Sequence, residues 1–227
     1  MTCRTMIRGR AGLAIGRRAR NRIAGSLIGL LIGWAPPGLA ANEASSDPAR
    51  QLVDAAIQDS LQVVGAPQLS RSDATERLRT LLDRYVDLPR VGRETLGTYW
   101  RRASAEQQAG FLALFESFLA VGYSSSVAKL GAIRFGPTSV VERADDLTVI
   151  QSDVQLGDGG ACPVLFLVGR SDDGSYRVVD VIAAAISMSK LLSADFGAVL
   201  RSNGGRFDAL IDALQQKLAT TVPVSAR

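Results

Sequence analysis

Leu147-Thr148-Val149-Ile150-Gln151-Ser152-Asp153-Val154-Gln155-Leu156, Ala161-Cys162-Pro163-Val164-Leu165-Phe166-Leu167-Val168-Gly169 and Tyr176-Arg177-Val178-Val179-Asp180-Val181-Ile182-Ala183 are three strand-like runs. Gly157-Asp158-Gly159-Gly160 separates the first two, and Ser171-Asp172-Asp173-Gly174-Ser175 separates the last two. Dense β-branched residues bounded by such turn sequences predict consecutive hairpins. A fourth run, Thr138 to Arg143, precedes them across Ala144-Asp145-Asp146. Together they predict a four-stranded antiparallel meander.

On either side the pattern is helical. Asp47-Pro48 supplies a cap and a first-turn proline, and Leu52, Val53, Ala56, Ile57 and Val64 follow at helical spacing until Gly65-Ala66-Pro67. A second helix is expected from Ser72 or Asp73, with Leu78, Leu81, Leu82 and Tyr85 inward, and a third from Asp87-Leu88-Pro89 to about Leu96. Ser104-Ala105-Glu106-Gln107 is a capping box that opens the longest helix, striped with Phe111, Leu114, Phe115, Phe118, Leu119 and Tyr123. After the meander, Ser189 to Arg201 and Arg206 to Ala219 predict two closing helices around Asn203-Gly204-Gly205. Helices, a meander and helices again predict an α+β domain: helices packed on one face of a curved, cone-like sheet, with an apolar cavity between them.

Residues 1–41 read as a signal peptide. Seven arginines lie there with no acid, the apolar run Ile23 to Trp34 is too short to span a bilayer, and Ala35-Pro36-Pro37-Gly38-Leu39-Ala40-Ala41 offers a cleavage site after Ala40 or Ala41. Arg17-Arg18 lacks the apolar continuation of a twin-arginine signal, so ordinary export to the periplasm is expected. Residues 42–220 then form a single domain, and 221–227 a flexible tail. Removing seven of 26 basic residues leaves 26 − 7 = 19 against 22 acids, so basicity gives no support for binding nucleic acid.

The chain has no histidine, which removes histidine-based triads and zinc sites. Cys3 would leave with the signal, so Cys162 is expected to be reduced and buried. The composition is 47% hydrophobic but only 6% aromatic. Such an interior suits either an ordinary packed core or a cavity for flexible hydrocarbon.

Val91 to Gln108, with Leu96-Gly97, Trp100 and Ser104-x-x-Gln107 before Phe111, Phe115, Leu119 and Tyr123, resembles the hallmark segment of the MlaC family. Tyr176-Arg177-Val178-Val179-Asp180-Val181 resembles its aromatic-x-V-x-D-V strand, with Ile186-Ser187-Met188 and the Phe196 helix after it. Cys162-Pro163 and Ala183-Ala184-Ala185 depart from the common pattern. The resemblance, over about Asp47 to Leu218, implies a periplasmic phospholipid carrier. It would work between an outer-membrane lipoprotein complex and an inner-membrane ABC transporter with an MCE-domain subunit, without catalysis, metal or cofactor. Relatives include a hopanoid-associated branch and toluene-tolerance auxiliary proteins.

Physical chemistry gives such a carrier its requirement. Roughly fourteen methylenes exposed to water cost about 11 kcal/mol, so a lipid crosses an aqueous gap only inside an apolar container. The expected lining is Leu96 and Trp100, then Phe118, Tyr123 and Val127 on the long helix. Ile150, Val154 and Leu156 share one face of the second strand, and Val179 and Val181 come from the fourth. Phe166 and Val168 are chosen in the third strand, although Leu165 and Leu167 compete because both its faces are apolar. An alternative is an isomerase- or cyclase-type enzyme on a cone-shaped fold, in which Asp153 or Asp180 would act as a buried base with a tyrosine. The plainer reading of Asp180 is a structural hydrogen bond. Arg93 reads as a capping or ion-pairing residue, and Arg101-Arg102 as a solvated pair or a contact for phosphate or an acidic partner.

Overall fold

The computed structural model describes residues 47–64, 66, 68–130, 134–155 and 160–221; the side chains at 64, 125–130 and 221 fall outside the description. The expected signal peptide, the lead-in 42–46, Gly65, Pro67, Leu156 and residues 222–227 also lie outside it. Among the described residues are seven helices and six strands. They are α1 (Pro48–Val64), α2 (Arg71–Tyr85), α3 (Leu88–Leu96), α4 (Thr98–Arg102), α5 (Ala105–Leu130), β1 (Arg134–Phe135), β2 (Ser139–Ala144), β3 (Leu147–Gln155), β4 (Ala161–Arg170), β5 (Tyr176–Ala183), β6 (Ile186–Ser187), α6 (Met188–Ser202) and α7 (Phe207–Thr221).

Local chemistry starts the early helices. Asp47 accepts from the backbone N–H of Ala49 at 2.8 Å and of Arg50 at 3.0 Å, and Asp87 accepts from that of Arg90 at 3.0 Å. Ser104 and Gln107 exchange the two bonds of a capping box, 3.0 and 3.1 Å. The second helix starts at Arg71, earlier than expected, because Ser70 takes the cap. The short α4 follows Gly97, whose φ of +53° suits the one residue type without a Cβ.

The sheet has six strands rather than four, in the order β1-β3-β4-β5-β6, with β2 also paired to β3. β1 and β6 are two residues each, too short for alternation to register in the sequence. β1 and β2 share one edge of β3: Phe135 pairs with Val154, and Ala144 with Leu147.

The helices are not spread over one sheet face as expected. α1 packs across β3, β4 and β5, whereas α3 and α6 meet the sheet chiefly at β5 and β6. At that edge Val86 bridges to Val178, the Asp87 N–H donates to the Val178 carbonyl at 3.0 Å, and the Ser171 hydroxyl donates to Asp87 at 2.5 Å. β6 then runs directly into α6. A helical half therefore stands off the β5 edge, while α1 alone lies along the sheet.

Candidate functional site

Alternation on β3 buries Thr148, Ile150, Ser152 and Val154, and the register sets them opposite Val168, Phe166, Val164 and Cys162 of β4. This inner face has two stretches. Ile150 and Val168 are fully buried and pack with Val178 against Ala49, Val53 and Ile57 of α1. Val154, Cys162 and Val164 are also buried, at 6%, 9% and 9% exposure, yet belong to none of the packed clusters among the described residues. Ser152 between them satisfies its hydroxyl on the Gly136 carbonyl at 2.9 Å, which leaves an apolar surface.

The described interior comprises three clusters rather than one. The second joins the helical half: Leu88, Val91, Leu96, Phe111, Phe115, Phe196, Leu200, Phe207, Leu210 and Leu214. The third is small, formed by Val63, Leu78 and Ala120 from α1, α2 and α5. Domains of this size ordinarily fill one contiguous core.

The expected lining residues fall in different places. Leu96 is buried in the helical cluster, and Trp100 and Phe118 pack against it, with the Phe118 ring 5.7 Å from that of Phe196. They sit away from Ile150, Phe166, Val168 and Val181, which share the α1 cluster. In β4 it is Phe166 and Val168, not Leu165 and Leu167, that stand on the inner face. Val179 and Val181 do not share a face. A register shift at Leu167/Val168 leaves Val179 unpaired, so Val178 joins Val181 on the inner side and Val179 turns towards Gly169.

Tyr123 on α5 is 56% exposed, yet desolvation by the surrounding protein raises its phenol pKa. Val127 is on the same helix, with its side chain outside the description. Cys162, Val164 and Val178 were missed as candidates. The β3–β4 register sets Cys162 opposite Val154. Cys162 itself is buried as expected, but it is disulfide-bonded rather than a reduced thiol.

The polar candidates have structural positions. Asp153 is exposed on the other sheet face. Asp180 accepts from the N–H groups of Val181 and Ser189 at 2.9 and 3.0 Å and from the Ser187 hydroxyl at 2.5 Å, which pins the start of α6. Neither is placed as the buried base of an isomerase. Arg93 is exposed, and no carboxylate pairs with it among the described residues. No group of candidate metal ligands and no helix long and apolar enough to cross a membrane occurs among them.

A known structure shares this fold. A phospholipid-binding protein from Ralstonia solanacearum, solved in complex with a phospholipid, matches with a TM-score of 0.65 and 24% identity, covering 77% of this chain and 99% of that one, a likeness of fold. The intermembrane phospholipid transport system binding protein MlaC of Haemophilus influenzae is 25% identical over 141 residues, 61% of this chain and 65% of that protein. The chain thus spans just under two thirds of the length of this relative. The family model described as MlaC protein matches residues 54–216, from α1 through α7, and the chain belongs to the MlaC family.

Proposed function

We propose that this protein carries a phospholipid, or a hopanoid-like lipid, through the periplasm between the inner and outer membranes. The observation that supports the reading is the aliphatic inner face at Val154 and Val164, buried and outside every packed cluster among the described residues. An acyl chain laid there exchanges one hydrocarbon environment for another, so loading and release need little net free energy. In this reading the exposed Tyr123 would offer its hydroxyl to the polar end of the lipid. The partners proposed are an MCE-domain subunit of an ABC transporter and an outer-membrane lipoprotein complex. The role requires no catalytic group, metal or cofactor.

Lipid extraction and mass spectrometry of the purified protein provide the test. The native protein should copurify with lipid at near-stoichiometric amounts. Val154→Arg sets a charge where an acyl chain would lie, at a cost of several kcal/mol if it stays dry, so lipid content should fall about tenfold or more while circular dichroism stays native. Phe118→Glu should instead unfold the helical half. A folded Val154→Arg protein with full lipid occupancy would sink the proposed site.

A further inference from the structure

Among the described residues, five arginines are paired with carboxylates: Arg50, Arg79, Arg84, Arg90 and Arg143. Arg101, Arg102, Arg201 and Arg206 have no such partner there, and all four are exposed. Arg102, Arg201 and Arg206 line two recesses that share Tyr99, where α4 meets the turn between α6 and α7, and Arg101 is next to Arg102 in the chain. One, about 260 Å³, lies between Arg102 and Arg206; its only carboxylate, Asp208, is engaged by the Gln107 amide at 2.7 Å. The other, about 220 Å³, is bounded by Thr95, Gly97, Ser193 and Arg201. There the buried Thr95 hydroxyl has no hydrogen-bond partner, and the Arg201 guanidinium lies over Gly197, 2.9 Å from where a Cβ would stand.

We propose that this face is a docking surface for an acidic segment of a protein partner, whose carboxylates enter the two recesses. Both volumes fall below the roughly 300–1,000 Å³ of small-molecule sites, which suits single side chains rather than a whole ligand. Guanidinium groups without a carboxylate partner match incoming carboxylates by their forked geometry, although Arg206 also donates to the Asn203 carbonyl at 3.4 Å, and arginine and tyrosine are the residue types that concentrate interface energy. A carboxylate reaching Thr95 would give its hydroxyl the acceptor it lacks. A protein is favoured over a bilayer because the exposed large apolar side chains, Tyr123, Val141, Ile186, Met188 and Leu191, line neither recess, so nothing there is available to insert.

Fluorescence anisotropy with a labelled peptide rich in Glu and Asp tests the surface on the full-length protein. Saturable binding that weakens with added salt is expected, with a loss of about tenfold or more in Arg102→Glu/Arg206→Glu. Arg77→Glu/Arg134→Glu changes the net charge equally at exposed sites elsewhere and should bind as the native protein does. Equal losses in both double variants, or no saturable binding by the native protein, would overturn the assignment. So would recruitment to phosphatidylglycerol vesicles without peptide binding. Lipid occupancy of Arg102→Glu/Arg206→Glu should remain native, which separates this surface from the carrier reading; its loss would place these residues in the lipid site instead.

Discussion

The helical half is packed ring against ring, whereas the buried inner sheet face is mainly aliphatic, with the Phe166 ring on it. Trp100, Phe111, Phe115, Phe118, Phe196 and Phe207 meet at centroid distances from 5.2 to 6.3 Å, mostly edge to face. Even Gly92 has no slack there, since a Cβ would lie 2.8 Å from Leu112 and 3.2 Å from Phe111. Across the domain Val154 and Val164 are buried but belong to none of the packed clusters among the described residues. Five of the chain's seven phenylalanines stand in the helical half. The proposed carrier role would set a flexible guest against the mainly aliphatic side.

The largest effect that could break this contrast is Phe111→Ala. The ring is fully buried and touches four others, so its loss should cost about 3–5 kcal/mol in urea unfolding. Val154→Ala should cost only about 1–2 kcal/mol, the transfer cost of the lost methyl groups without a new cavity. Equal costs would mean that the inner face is packed as tightly as the helical half.

A smaller effect tests what fastens α1 over the sheet. Asp47 is buried, caps α1 and pairs with Arg143 of β2, while Thr138 accepts from Arg50 at 3.0 Å and donates to Asp54 at 2.6 Å. Desolvation is the largest influence on the Asp47 carboxyl and pushes its pKa up. The Arg50 N–H, the paired Arg143 and the Ala49 N–H together outweigh it and hold the pKa below the ordinary value of 3.8. Its stabilisation is therefore complete above that value and lost as the pH falls through the lower folded-state pKa. Asp47→Ala should cost about 1–2 kcal/mol at neutral pH, much of it the lost cap. Asp47→Asn keeps a capping oxygen but not the charge, so its deficit should shrink towards pH 3 as the native carboxyl protonates. A deficit independent of pH would remove the ion pair from the fastening of α1.

The smallest effect lies at the joint between the two regions. Ala184 and Ala185, at φ 51° and 62°, make the two-residue turn from β5 to β6 in a conformation that ordinarily selects Asn-Gly. Ala184→Gly should leave thermal stability unchanged or raise it by up to about 1 kcal/mol, against the usual loss of that size for Ala→Gly in a regular element. A loss of the usual size would show that this turn stores no strain.

Legibility in the sequence followed the range of the interactions. Asp47, Asp87 and the Ser104/Gln107 pair act within a few residues, and the hairpin turns likewise, so most helices and the four longer strands were readable. β1, β6 and α4 are too short to show a period. The bulge that turns Val179 from the inner face arises from pairing with β4 and has no local signature.

The expected lining shows the same division. The sequence by itself determined the apolar periodicity of Phe118, Ile150 and Val154 and the family motifs around Trp100 and Asp180, because side-chain alternation and caps are local properties of the chain. Only the tertiary structure decided that Leu96, Trp100 and Phe118 pack into an aromatic core off the β5 edge while Val154 and Val164 are buried on the inner face apart from that core. Periodicity says which side of an element is apolar. What fills that side depends on α1 crossing the sheet and on α5 packing against α2 and α7, contacts between residues far apart in the chain.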